Sequence, residues 1–145
     1  MNLTGSAQFN IQVGNEVTLN VQPILHEIRH SLERLLEQGQ NSTIDLRSIP
    51  LAPGEEESIL NTLGVGEVHA RLDALGPSEI HETRYAGIWL VTHFNENNTI
   101  VSRFIEVTEF PDILKSQPGD MSDALTSLAD DLETEITESH AETDT

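Results

Sequence analysis

The chain has 145 residues, with seven Lys and Arg against twenty-five Asp and Glu, and a formal charge of −18. It contains no cysteine, which excludes disulfides, thiolate metal sites, iron–sulfur ligation and cysteine nucleophiles, and its acidity opposes binding to nucleic acid or anionic lipid. No apolar run approaches the length of a membrane span, and the amino terminus MNLTGSAQFN lacks the basic and apolar segments of a leader, so the expected location is cytoplasmic, with no membrane attachment.

Residues 8–21, QFNIQV-GN-EVTLNV, alternate apolar and polar around Gly14-Asn15, which predicts a two-residue hairpin or a loosely attached arm over residues 1–21. A homo-oligomer formed through this arm stays open. A first helix is predicted from about Gln22 to Glu37, with Pro23 in its first turn and Gly39 at its end. At 100° per residue, Ile24, Leu25, Ile28, Leu32, Leu35 and Leu36 form its apolar stripe. A short strand, Thr43-Ile44-Asp45-Leu46, and the loop SIPLAPG lead to a second helix opened by Glu55, Glu56 and Glu57, where negative charge suits the helix dipole. Those glutamates would repel phosphate, so the turn is no anion site.

From Glu67 the period changes to two. Four strands are predicted, at 67–75, 79–85, 88–94 and 99–107, joined by Gly76-Pro77-Ser78, Tyr85-Ala86-Gly87 and Asn95-Glu96-Asn97-Asn98. The third of them, Ile88-Trp89-Leu90-Val91-Thr92-His93-Phe94, is apolar on both faces and should be central. After a short turn near Pro111–Lys115, a third helix is expected from the cap Asp120, packing through Met121, Leu125, Leu128, Leu132 and Ile136. Beyond about residue 138 the apolar content falls too low for order, giving an acidic tail over 138–145. The fold class is α+β, a mainly antiparallel sheet of about five strands with helices on one face, in one domain over 22–137.

One motif stands out. His26-Glu27-Ile28-Arg29-His30 spells H-E-x-x-H, the signature in which two histidines one turn apart hold zinc and the glutamate activates water. The helical phase argues against it. With Leu25 at 0°, the stripe centres near 320°, while His26 falls near 100° and His30 near 140°, directed at solvent. Glu33 and Leu36 occupy the positions where the longer motif needs glycine and a third histidine. The pair reads as a solvated polar face, with a weak chelate of a divalent ion by His26 and His30 as the alternative.

His69 and His81 should pair across the Gly76 turn, and could share one face of that hairpin with Arg71, Asp73 and Thr83. Such a face is either the wet side of a half-buried sheet or a binding surface supported by Tyr85 or Trp89. GVGEVHAR at 64–71 precedes a strand instead of opening a helix, so it is no phosphate loop. The six arginines are expected chiefly as internal partners of carboxylates.

The stretches LHEIRHSLERLLEQG, TIDLRSIPLAPGEEESILNTLGVGEVHARLDALGPSEIHETRYAGIWLVTH and RFIEVTEFPDILKSQPGD together resemble the C-terminal domain of the HupH/HyaF hydrogenase expression/formation family, over roughly residues 22–132. H-E-I-R-H belongs to the resembling text. The resemblance implies a non-enzymatic accessory protein that binds an immature nickel–iron uptake hydrogenase subunit, the iron–sulfur small subunit above all, or a fellow maturation factor. It implies no cofactor and no catalytic residues. HETRYAGIW combines the resemblance with anchoring chemistry, so Arg84, Tyr85 and Trp89 are the expected partner-binding residues, with Arg71 and Asp73 beside them. The alternative is a metal-handling protein using His26 and His30. Longer family members carry a further domain ahead of this one, which is a departure.

Overall fold

A computed structural model describes residues 19–143; the expected hairpin arm lies almost wholly outside the described residues. The described residues fall into two compact units, which divide between Pro111 and Asp112.

The first unit opens with helix α1, Val21–Gln38, closed by Gly39 in the left-handed conformation at φ +66°. Strand β1 (Ser42–Asp45) and a single 3-10 turn (Leu46–Ser48) lead to helix α2, Glu55–Leu63. Four strands follow: β2 (His69–Leu72), β3 (Ser78–Glu82), β4 (Ile88–Phe94) and β5 (Ile100–Val107). They form one antiparallel sheet in the order β1-β5-β4-β3-β2, with β4 in the centre as its two-sided apolarity requires.

Helices α1 and α2 cover part of one face. Ile24 and Ile28 of α1 and Ile59 and Leu63 of α2 close over Ile44, Ile88, Ile105 and Val107 of the sheet. The aliphatic stripe of α1 is slightly narrower than the periodicity suggests: Leu36 is 80% exposed and Ser31 is buried. The helix phase therefore centres on Ile24, Ile28 and Ser31, with Leu25, Leu32 and Leu35 at its margin.

Glu55 ties the two helices together at their starts. Its carboxylate, fully buried, accepts from Ala52 N at 2.6 Å, Asn20 N at 2.9 Å and Asn20 Nδ2 at 3.1 Å. These donors, the Ala52 amide foremost, hold its pKa below the ordinary glutamate value of 4.5. The helix-dipole reading thus covers only part of what the glutamates do. Glu56 pairs with Arg47 at 3.3 Å and Arg103 at 3.6 Å, as the expected internal role of arginine requires.

The second unit holds a 3-10 turn, Asp112–Leu114, and helix α3, Pro118–Thr143. Two expectations change here. Helix α3 begins at Pro118, a residue suited to a first turn, instead of after Asp120, and it runs to Thr143, through most of the span expected to be a disordered tail. Its stripe of Met121, Leu125, Leu128, Leu132 and Ile136 is exposed. Residues 22–137, expected as one domain, accordingly divide after Pro111. Among the described residues no helix is long and apolar enough to cross a membrane.

Candidate functional site

Two features of the first unit stand apart from its packing. The first is an apolar groove of about 260 Å³ between α1, α2 and the turn joining β3 to β4. Leu25, Ile28 and Leu32 line it from α1, Leu63 from α2, and Ile88 and Tyr85 from the turn and β4. Leu25, Ile28 and Leu32 were legible as part of the α1 stripe; that the stripe is wider than its cover follows only from the tertiary arrangement.

Its lip is built by local backbone chemistry. Helix α2 ends at Gly64, whose φ of +66° and ψ of −166° turn the chain toward β3, and Arg84 N donates to Leu63 O at 2.9 Å. Gly66 N donates to Glu82 O at 2.7 Å, an approach so close that a Cβ at Gly66 would lie 2.4 Å from Thr83 O. The glycines of GVGEVHAR thus serve a helix stop and a backbone contact. The Arg84 guanidinium donates from Nη2 to Thr62 O at 3.1 Å and to the Tyr85 hydroxyl at 3.0 Å, with Cζ 5.2 Å from the Tyr85 ring centre. Tyr85, 44% exposed, is therefore braced at the lip, a geometry in which cation–π attraction adds to the hydrogen bond. Arg29 also lines the groove and makes no ion pair among the described residues.

The second feature is a polar cluster at the far end of the sheet. His69 faces His81 and Arg71 faces Glu79 across the β2–β3 hairpin. Register continues these rows through Leu90 and Ile105 in one case and Thr92 and Arg103 in the other. The cluster therefore occupies the same face of the sheet as the aliphatic core and not the opposite one. Arg71 Nε contacts Asp73 Oδ1 at 2.7 Å and Nη1 contacts Glu79 Oε1 at 3.5 Å; the Asp73 bond raises the guanidinium pKa further.

The structure divides the expected interface. Arg84 and Tyr85 sit together beside the groove, whereas Arg71 and Asp73 lie toward the other end of the hairpin. Five residues of extended chain separate Glu79 from Arg84, a span of about 16 Å. Trp89 belongs to neither group. It is 4% exposed, donates from Nε1 to Thr108 O at 3.1 Å and meets Phe110 edge to face. Its alternation in β4 turns it from the groove into a buried polar-satisfied position, so it is a packing residue and not an exposed anchor.

His26 and His30 project outward, as their phase on α1 predicts. His30 Nδ1 lies 3.5 Å from Glu33 Oε2, and no third donor joins the two imidazoles in a metal-ligating group among the described residues. Ser78 Oγ and His93 Nδ1 are 2.6 Å apart, a nucleophile–base pair in outline. Yet Ser78 is buried, and no carboxylate pairs with His93 among the described residues. This is a cross-strand contact of a packed sheet.

The first unit is thus an aliphatic helix-on-sheet scaffold with an open groove and an aromatic lip braced by Arg84. The chain belongs to the family described as HupH hydrogenase expression protein, C-terminal conserved region, which matches residues 18–135. It is 25% identical over 122 residues to the hydrogenase expression/formation protein HoxQ of Cupriavidus necator, covering 83% of this chain and 43% of that protein. The HoxQ protein of Azotobacter vinelandii is 27% identical over 112 residues, covering 76% and 40% respectively. Among solved structures, the hydrogenase expression protein HupH from Thiobacillus denitrificans superposes with a TM-score of 0.76 at 38% identity, over 79% of this chain and 96% of that one. The chain thus spans less than half the length of the curated relatives it matches.

Proposed function

We propose that this chain is a non-enzymatic accessory protein of nickel–iron hydrogenase maturation, acting in the cytoplasm by holding an immature subunit, the iron–sulfur small subunit, through the groove lipped by Arg84 and Tyr85. The observation that carries the reading is the open apolar groove in a chain whose family is named for hydrogenase expression. At about 260 Å³ the groove is smaller than the usual small-molecule pocket of ~300–1,000 Å³, and suits one or two large side chains of a protein partner. Tyr85 supplies a rigid amphipathic contact at low entropy cost, and Arg29 and Arg84 add cationic lips to a strongly acidic molecule. Arg71 and Asp73, already neutralising one another, form a separate polar surface that a large subunit would reach only by spanning the hairpin.

The test is binding of purified, unassembled small and large hydrogenase subunits to the wild-type chain, to Arg84→Ala/Tyr85→Ala and to Val101→Ser, an exposed site on β5. The expected result is binding of the small subunit, weakened at least tenfold by the double substitution and unchanged by Val101→Ser. Equal binding by all three proteins would remove the groove from the reading, and no binding of either subunit would remove the maturation role.

A further inference from the structure

His69, Glu79 and His81 bring one potential ligand atom each to within 4.8 Å of the other two. Two strands assemble the group. The antiparallel register sets His69 opposite His81, with ring centroids 4.0 Å apart and planes 9° from parallel, and Glu79 two residues before His81 shares their face. Glu79 Oε2 lies 3.6 Å from His81 Nε2. Two donors each about 2.1 Å from a common ion stand roughly 3.0–3.4 Å apart at octahedral to tetrahedral angles, so this edge closes with a small rotation.

Two further observations point to a ligand. The Nδ1 atom of His81 is buried without a hydrogen-bond partner, and its Nε2 reaches only the long Glu79 contact, so this imidazole has no hydrogen bond of its own among the described residues. An ion on Nε2, the nitrogen turned to Glu79, would give this imidazole a partner there, whereas the buried Nδ1 diverges from that position and is not served by it. Arg71, the cation in the neighbourhood, is bound chiefly by Asp73 at 2.7 Å and takes Glu79 through Oε1 only, at 3.5 Å, leaving Oε2 turned to the histidines. The three-donor set, two neutral imidazoles and one carboxylate, is that of borderline divalent metals with open positions for water.

We infer that His69, Glu79 and His81 form a binding site for one divalent transition-metal ion of the zinc class on the β2–β3 hairpin. The site is independent of the groove and of the H-E-x-x-H segment. It keeps His69 at the surface, where an ion enters and leaves.

Titration of the full chain with Zn²⁺, read by calorimetry and by imidazole NMR, tests the assignment. One equivalent is expected to bind, shifting His69 and His81 before His26 and His30. His69→Ala/His81→Ala and the near-isosteric Glu79→Gln should each weaken binding at least tenfold. His26→Ala/His30→Ala should leave it unchanged, and Arg71→Gln should strengthen it several-fold by freeing Glu79 from a competing cation. Circular dichroism establishes that each variant is folded, and Glu79→Gln decides the matter if the histidine variant is not. Binding no tighter in the wild type than in Glu79→Gln, or lost in His26→Ala/His30→Ala, would overturn the assignment.

Discussion

Replacing Gly64 with alanine tests how the groove's lip is set. At φ +66° and ψ −166° the backbone occupies a region almost confined to glycine, and an added Cβ would lie 2.9 Å from Arg84 Cγ. Gly39 provides the control. It has the same φ of +66° but an ordinary left-handed ψ of 20°, and nothing lies within 4 Å of its added Cβ. Alanine at Gly39 should cost about 1 kcal/mol of backbone strain. At Gly64 the strain is about 2–3 kcal/mol, and displacement of the Arg84 chain from Thr62 O adds roughly 1 kcal/mol.

The expected difference between the two variants is therefore about 2–3 kcal/mol, or a shift of roughly 1 M in the urea midpoint at an unchanged slope. Trp89, the single tryptophan and a buried one, reports the transition by fluorescence. Adding Arg84→Ala to Gly64→Ala should recover the crowding part, a coupling of about 0.5–1 kcal/mol. Equal midpoints for Gly39→Ala and Gly64→Ala would refute the claim that this residue's dihedrals and its contact with Arg84 set the lip.

Glu55→Gln should lower stability at neutral pH and flatten its acid dependence. The folded pKa of Glu55 is depressed, so its contribution is present above the unfolded value near 4.5 and is lost as pH falls through the lower folded value. The gap between wild type and variant, followed by chemical denaturation, should therefore shrink in that acid window; a constant gap would contradict the assignment. Trp89→Phe should cost about 1–3 kcal/mol by leaving the Thr108 carbonyl without its indole donor, with subunit binding intact in the folded variant. Selective loss of subunit binding would restore Trp89 as an anchor. Ile105→Ala, at a fully buried position in the middle of the helix-covered face, should cost about 2–5 kcal/mol, measured by thermal or urea unfolding.

The two-sided apolarity of residues 88–94 was sufficient to make β4 central, and the Gly76 turn was sufficient to pair His69 with His81. Both depend on strand period and local turn geometry, which sequence carries directly. Burial of Trp89 was not legible in the same way. An indole in a two-sided strand can end in the core or at an interface, and the deciding partner, the Thr108 carbonyl, lies nineteen residues away. The groove was equally hidden, because its walls are the stripe of α1 itself and only the placement of α2 and the 84–87 turn leaves part of that stripe uncovered. Helix α3 shows the converse: its stripe was plain in the sequence, but a stripe does not state what covers it.

The two histidine pairs show why spacing along a chain is weaker evidence than phase and register. His26 and His30 stand one turn apart on a helix and match a famous motif, yet the aliphatic stripe that anchors α1 forces both outward. Among the described residues no group of three converging donors includes either of them. His69 and His81 match no motif, being twelve residues apart, but they are equidistant from the hairpin turn, so antiparallel pairing must bring them face to face. Period-two alternation then adds Glu79 to the same face as His81 with no further requirement. The donor set follows from the turn at Gly76 and the strand period together. A one-residue slip of that register would set His69 opposite a neighbour of His81 on the other face of the sheet and disperse the group.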